Sequence, residues 1–114
     1  MSDNRTVPEP TVTATEYSVS CVPLDDINSI EFTLTVEYRG RGKWAVTRLK
    51  RCYDIDGNQD WEPIPSERLD EWLARYRHDL DTELRIARQV APTLRNGRVT
   101  VADVLAEIEE DPRV

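Results

Sequence analysis

The chain has 114 residues, 39% of them hydrophobic and 32% charged, with a formal net charge of −7. That length and balance suit one folded domain and exclude a disordered tail or a fibrous repeat. No run of eighteen apolar residues occurs, which excludes a membrane-spanning helix, and two cysteines, Cys21 and Cys52, are too few for a disulfide scaffold.

No apolar stretch follows Met1–Thr6, so no secretory leader is expected. With free, part-buried thiols this points to a reducing cytoplasm, the alternative being a Cys21–Cys52 bridge between neighbouring strands. The charge is unevenly placed. Residues 1–38 carry seven acids and one base, residues 39–51 six bases and no acid, and residues 52–84 ten acids and three bases.

In chain order, residues 1–12 hold Pro8 and Pro10 among polar residues and read as a flexible arm; residues 13–114 read as one α+β domain. Over residues 16–22, Tyr17, Val19 and Cys21 alternate with Ser18 and Ser20, the period of a half-buried strand. Residues 30–38 give the clearest strand, with Ile30, Phe32, Leu34, Val36 and Tyr38 on one face and Glu31, Thr33, Thr35 and Glu37 on the other. Arg39-Gly-Arg-Gly-Lys43 is a glycine turn, and a third strand follows over residues 43–53. Its apolar residues change parity between Val46 and Leu49, so a β-bulge near Thr47-Arg48 is expected. After an Asp-Gly turn, Trp61–Ile64 would make a short edge strand between prolines.

Helical spacing then takes over. Ser66 is expected to cap a helix over 66–77, and Leu69, Trp72, Leu73, Tyr76, Leu80, Leu84, Ala87, Ala91 and Leu94 continue an apolar stripe. A break at Arg77–Asp79, with Asp79 or Asp81 capping a second helix over 80–91, competes with one continuous helix of about 42 Å. Thr100 and Asp103 form a capping-box pair for a last helix over 101–109, which Glu109-Glu-Asp-Pro112 ends. Short connections demand an antiparallel meander of three to four strands, and strands followed by two to three helices on one sheet face give α+β. The polar sheet face would then be open or partner-covered.

The basic turn is the leading candidate site. Arg39, Arg41, Lys43, Arg48 and Lys50, with Arg51, surround Trp44 and could hold a partner. An acidic protein surface is the leading occupant, and the alternative is nucleic acid, with Trp44 stacking a base. Cross-strand pairing with Glu31 and Glu37 would also account for these charges. The net charge of −7 works against a polyanion.

Other chemistry is poorly represented. Asp54-Ile-Asp-Gly-Asn-Gln-Asp60 looks like a fragment of a calcium loop, but the required sixth-position glycine is Gln59 and the twelfth-position glutamate is Pro65, so no metal is expected. His78 is the one histidine, no cysteine has a histidine near it in sequence, and the four glycines fall in separate turns. A non-enzymatic protein without a cofactor is the expectation. The stripe from Leu69 to Leu94 could pack on the sheet or join two copies as a homodimer.

Arg41-Gly-Lys-Trp-Ala-Val46, Arg51-Cys52 before an Asp-Gly turn, Trp61-Glu-Pro63, His78-Asp-Leu-Asp-Thr82 with Ala91-Pro92 after it, and Thr100-Val-Ala-Asp103 follow one another in a telling order. This order resembles that of small accessory proteins of phages infecting high-GC actinobacteria, a family with no assigned activity, over most of residues 16–108. The resemblance implies a phage or prophage setting in a host cytoplasm, with a host or phage protein as partner. It carries over no functional residue.

Overall fold

Alternating apolar side chains build the sheet. In the computed structural model, which describes residues 6–110, β1 (Glu16–Ser20), β2 (Thr33–Gly40), β3 (Lys43–Arg48), β4 (Arg51–Tyr53) and β5 (Gln59–Trp61) lie in the order β1-β2-β3-β4-β5. Every pairing is antiparallel. The meander thus has five strands rather than three to four. It is followed by α1 (Asp70–Tyr76), α2 (Leu80–Val90), a two-residue hairpin of β6 (Arg95–Asn96) and β7 (Val99–Thr100), and α3 (Val101–Glu110). The fold is α+β. Residues 1–5 of the expected arm, and Asp111-Pro112 of the expected helix stop, lie outside the described residues. No helix among the described residues is long and apolar enough to cross a membrane.

One core holds the layers together. Phe32, Leu34, Val36, Trp44, Val46 and Tyr53 from the sheet side meet Ile86, Ala87 and Val90 of α2 and Val101 and Val104 of α3. Each buried branched or aromatic side chain of this kind contributes about 1.5–3 kcal/mol. The capping box forms as expected at α3, with Thr100 N donating to Asp103 Oδ2 at 2.9 Å and Asp103 N to Thr100 Oγ1 at 3.2 Å.

Several expected boundaries move, each for a physical reason. Ile30 does not face the core: it is exposed in a 3-10 turn over Ser29–Phe32, and β2 starts only at Thr33. Tyr38, at the other end of the stripe, is also exposed and lies against Trp44, ring centroids 5.3 Å apart. The parity change after Val46 is not a bulge. Leu49 and Lys50 form a two-residue turn at φ 51° and 69°, splitting the expected third strand into β3 and β4. The bulge is at Arg39, where the β2–β3 register shifts between Tyr38 and Gly40. Ser66 caps no α-helix: Pro65–Glu67 is a 3-10 turn, and Arg68, with ψ 110°, breaks it before α1 begins at Asp70. In α2 the buried stripe is Glu83, Ile86, Ala87 and Val90, while Leu80 and Leu84 are only half-buried.

The helices also do not share one sheet face. Direct cross-strand partners point the same way, so Ala45 and Cys52 face away from the α2 side, and both are fully buried there. Arg77, at the end of α1, reaches Cys52 Sγ at 3.8 Å, which places the 62–77 segment over that second face. The expected open face is therefore covered at its β3–β4 end.

The chain passes between the two faces at His78. β4 is short and leaves the start of β3 unpaired on that side. His78 fills the gap, with Trp44 N donating to His78 O at 2.8 Å and His78 N to Trp44 O at 3.4 Å. Asp79 then caps α2, its Oδ1 accepting from Thr82 N at 2.8 Å.

Candidate functional site

The β2–β3 hairpin turns through Arg41 and Gly42 at φ 55° and 74°, the type I′ geometry that matches strand twist. Arg39, two residues after Glu37 in β2, points to the same second sheet face. There Arg39 Nη2 lies 3.0 Å from Glu37 Oε2 and 3.1 Å from Glu62 Oε2. Glu62 also pairs with Arg68, at 3.4 Å, and with Arg77. Arg77 donates further to the Tyr76 carbonyl at 3.1 Å and lies over the Trp72 ring, 5.0 Å from its centroid. Three guanidinium groups thus share two carboxylates, an arrangement that fixes Arg39 and Arg77 in place without neutralising them.

Above this network lies a cleft of about 420 Å³, lined by Arg39, Gly40, Arg41, Lys43, Asp70, Leu73, Ala74 and Arg77. Four cations and one carboxylate surround an apolar floor from α1. Arg41 and Lys43 are exposed on its rim, and neither has a salt-bridge partner among the described residues. The cleft has two fixed inner cations, two free outer ones and a short greasy base. Such a lining suits a segment carrying carboxylates beside an apolar side chain.

The six residues expected to bind a partner do not stay together. Arg39, Arg41 and Lys43 line the cleft. Trp44 is 9% exposed and belongs to the core, with Tyr17 at 5.8 Å and Tyr38 at 5.3 Å between ring centroids. It offers no free face for a base. Arg48 uses its guanidinium on main-chain oxygens, donating to Glu31 O at 2.9 and 2.7 Å and to Arg95 O at 2.8 Å. Lys50 sits in the β3–β4 turn, at the opposite end of β3 from the cleft. Asp70, Leu73, Ala74 and Arg77 were not legible as site residues, because only the fold of α1 onto the second face brings them to the hairpin.

The other groups considered for chemistry are structurally occupied. Asp54 is buried, and its Oδ1 accepts from Asp56 N and Asn58 N, each at 2.9 Å, while Arg75 Nη2 reaches Oδ2 at 3.1 Å. Burial pushes its acidity the other way, but these hydrogen bonds outweigh it and hold the carboxyl below the usual range. Among the described residues no three His, Cys, Asp or Glu side chains gather to hold a metal ion. Burial, and then the Glu62 carboxylate, push the Cys52 thiol up, against a smaller opposing effect of Arg77. His78 does have a carboxylate beside it: its Nδ1 is 3.0 Å from Glu83 Oε1. Glu83 is 0% exposed, however, and His78 is half-buried beside it, so the carboxylate lies beneath the imidazole in the α2 layer. A sequence signal for it existed, since Glu83 stands four residues before Ala87 on the apolar stripe.

The chain matches no protein-family model, no curated protein and no solved structure.

Proposed function

We propose that this chain is a non-enzymatic interaction protein that seats an acidic, apolar-anchored segment of a protein partner in the cleft between the β2–β3 hairpin and α1. The observation that carries the reading is the lining itself: Arg39, Arg41, Lys43 and Arg77 around Leu73 and Ala74, on a chain whose net charge is −7. A cationic pocket on an acidic body attracts a short acidic segment locally, while the field of the whole molecule repels a long polyanion. The sequence resemblance to actinophage accessory proteins supplies the setting, a host cytoplasm with a host or phage protein as partner. The nucleic-acid alternative is weakened by the burial of Trp44, which removes the stacking group it relied on.

The test is a titration of fluorescent peptides, Asp- and Glu-rich with one central Leu or Phe, at low and at high salt. Binding should weaken as salt rises. Reversal of both rim charges, Arg41→Glu with Lys43→Glu, should cost about tenfold in affinity, since each exposed pair contributes roughly 0.2–1 kcal/mol and each reversal adds repulsion. An affinity that the double reversal leaves unchanged would sink the reading. Tighter binding of a single-stranded oligonucleotide than of the peptide at equal salt would transfer the cleft to nucleic acid.

A further inference from the structure

The two edges of the sheet are protected very differently. β5 is three residues long and runs toward Pro63, two of the ordinary devices that stop a sheet edge from recruiting another strand. β1 has neither. Thr15 O accepts from Tyr38 N at 2.8 Å, so the ladder to β2 extends one residue upstream of Glu16. In an antiparallel pair the N–H and C=O of one residue point to the same side, and successive residues alternate. The main-chain groups of Thr15, Tyr17 and Val19 therefore face β2, and those of Glu16 and Ser18 face outward. Continued upstream, the same alternation turns Ala14 and Val12 outward. The run Thr11-Val-Thr-Ala-Thr15 is rich in β-branched residues, has no proline and no charge, and is exposed throughout. Val12 loses none of its accessible surface to the rest of the chain, at 102% exposure.

We infer that the β1 edge, together with residues 11–15, is the site at which a second copy of this chain pairs, forming a continuous ten-stranded antiparallel sheet across a two-fold axis. The geometry narrows the register, since an axis on Tyr17 or beyond would set residues 11–13 opposite residues past the end of β1. A two-fold axis normal to the sheet keeps both apolar faces on one side only if it falls on a residue, because a one-residue slip exchanges the faces. An axis on Glu16 would set two carboxylates directly opposite each other, which is destabilising. An axis on Ala14 would pair Ser18 with Pro10, which has no N–H to donate. An axis on Thr15 pairs Glu16 with Ala14 and Ser18 with Val12, each twice by symmetry and all four with outward-facing donors and acceptors, and moves Pro10 out to Ser20, the last residue of β1. Association is isologous and closed, so it ends at the dimer.

Sedimentation of the full chain should give twice the chain mass, falling to the single-chain mass on dilution. Ala14→Pro removes an outward N–H and leaves the β1–β2 ladder intact, so it should yield a monomer that melts as the parent does at dilutions where the parent is itself monomeric. The register is read by cross-linking in a Cys21→Ser background. Thr15→Cys should form a disulfide-linked dimer, its Cα lying roughly 4.5 Å from its mate across the axis, whereas two Thr13→Cys residues would be about 13 Å apart and should not link. A single-chain mass at every concentration, a dimer indifferent to Ala14→Pro, or linking at residue 13 as readily as at residue 15 would each overturn the proposal.

Discussion

Glu83 occupies a place that apolar spacing reserves for a hydrophobic side chain, one turn before Ile86 and Ala87 on the buried stripe of α2. Burial raises its pKa to about 7, against the opposing effect of its hydrogen bond to His78 and the charge of Arg77. The sheet face packed on α2 is otherwise apolar, with Val36, Trp44 and Val46 in the core and Tyr38 at its margin. One oxygen, Oε2, has no hydrogen-bond partner among the described residues. The folded value lies above the ordinary 4.5, so folding favours the protonated form. The stability this contributes is fully present below pH 4.5 and is lost as pH rises through about 7. Glu83→Gln should therefore match the parent at pH 5 and exceed it at pH 8 by up to about 3 kcal/mol, read as the difference between urea unfolding free energies at the two pH values. A substitution with equal effect at both would show that the carboxylate is already accommodated as an anion. Asp54 runs the opposite way: its folded pKa is lowered, so its contribution is present above pH 3.8 and lost on acidification.

At the level of elements, what could be read from the chain followed the strength of the local signal. Leu34 and Val36 alternate with threonines and are fully buried in β2, and the Asp79 cap that would split the helices does accept from Thr82. The β3–β4 turn was illegible for a definite reason. A type I′ turn favours Asn-Gly, yet this one is built from Leu49 and Lys50 with both residues in the left-handed region. Flanking strand pairs, Arg48 with Arg51 and Thr47 with Cys52, impose it against local preference. Strain of this sort costs about 1–2 kcal/mol per residue. Leu49→Asn with Lys50→Gly should raise stability by about 1–3 kcal/mol, seen as a higher urea midpoint with an unchanged slope. No gain would mean that packing of the exposed Leu49 side chain outweighs the backbone term. The ends of the Ile30–Tyr38 stripe misled for a related reason, since periodicity cannot show where a sheet stops covering its own residues.

For the whole molecule, charge segregation pointed to the hairpin that forms one wall of the proposed cleft but not to its other wall. The six bases of residues 39–51 divide into Arg39, held by Glu37 and Glu62, Arg48, held by carbonyls, Arg51, laid over the Trp61 ring, and Arg41 and Lys43 at one end of β3 with Lys50 at the other. Only the return of the chain over the second face supplies the cleft's floor and its fourth cation, and no local pattern in residues 66–77 announces that return. The crossing at His78 makes this layout depend on phase. Arg77 and His78 are neighbours in sequence but point to opposite sides of the sheet, one toward Cys52 and Glu62, the other toward Glu83. Adding a single alanine between them would push the guanidinium toward the apolar layer or pull the imidazole out of it. Such an insertion should abolish cooperative thermal unfolding, whereas the same alanine placed after Pro8, in the exposed segment ahead of β1, should cost little. Three residues, Arg77 to Asp79, thereby set the handoff between the cleft on one side of the sheet and the apolar core on the other, and their number can no more change than the spacing of teeth on a gear.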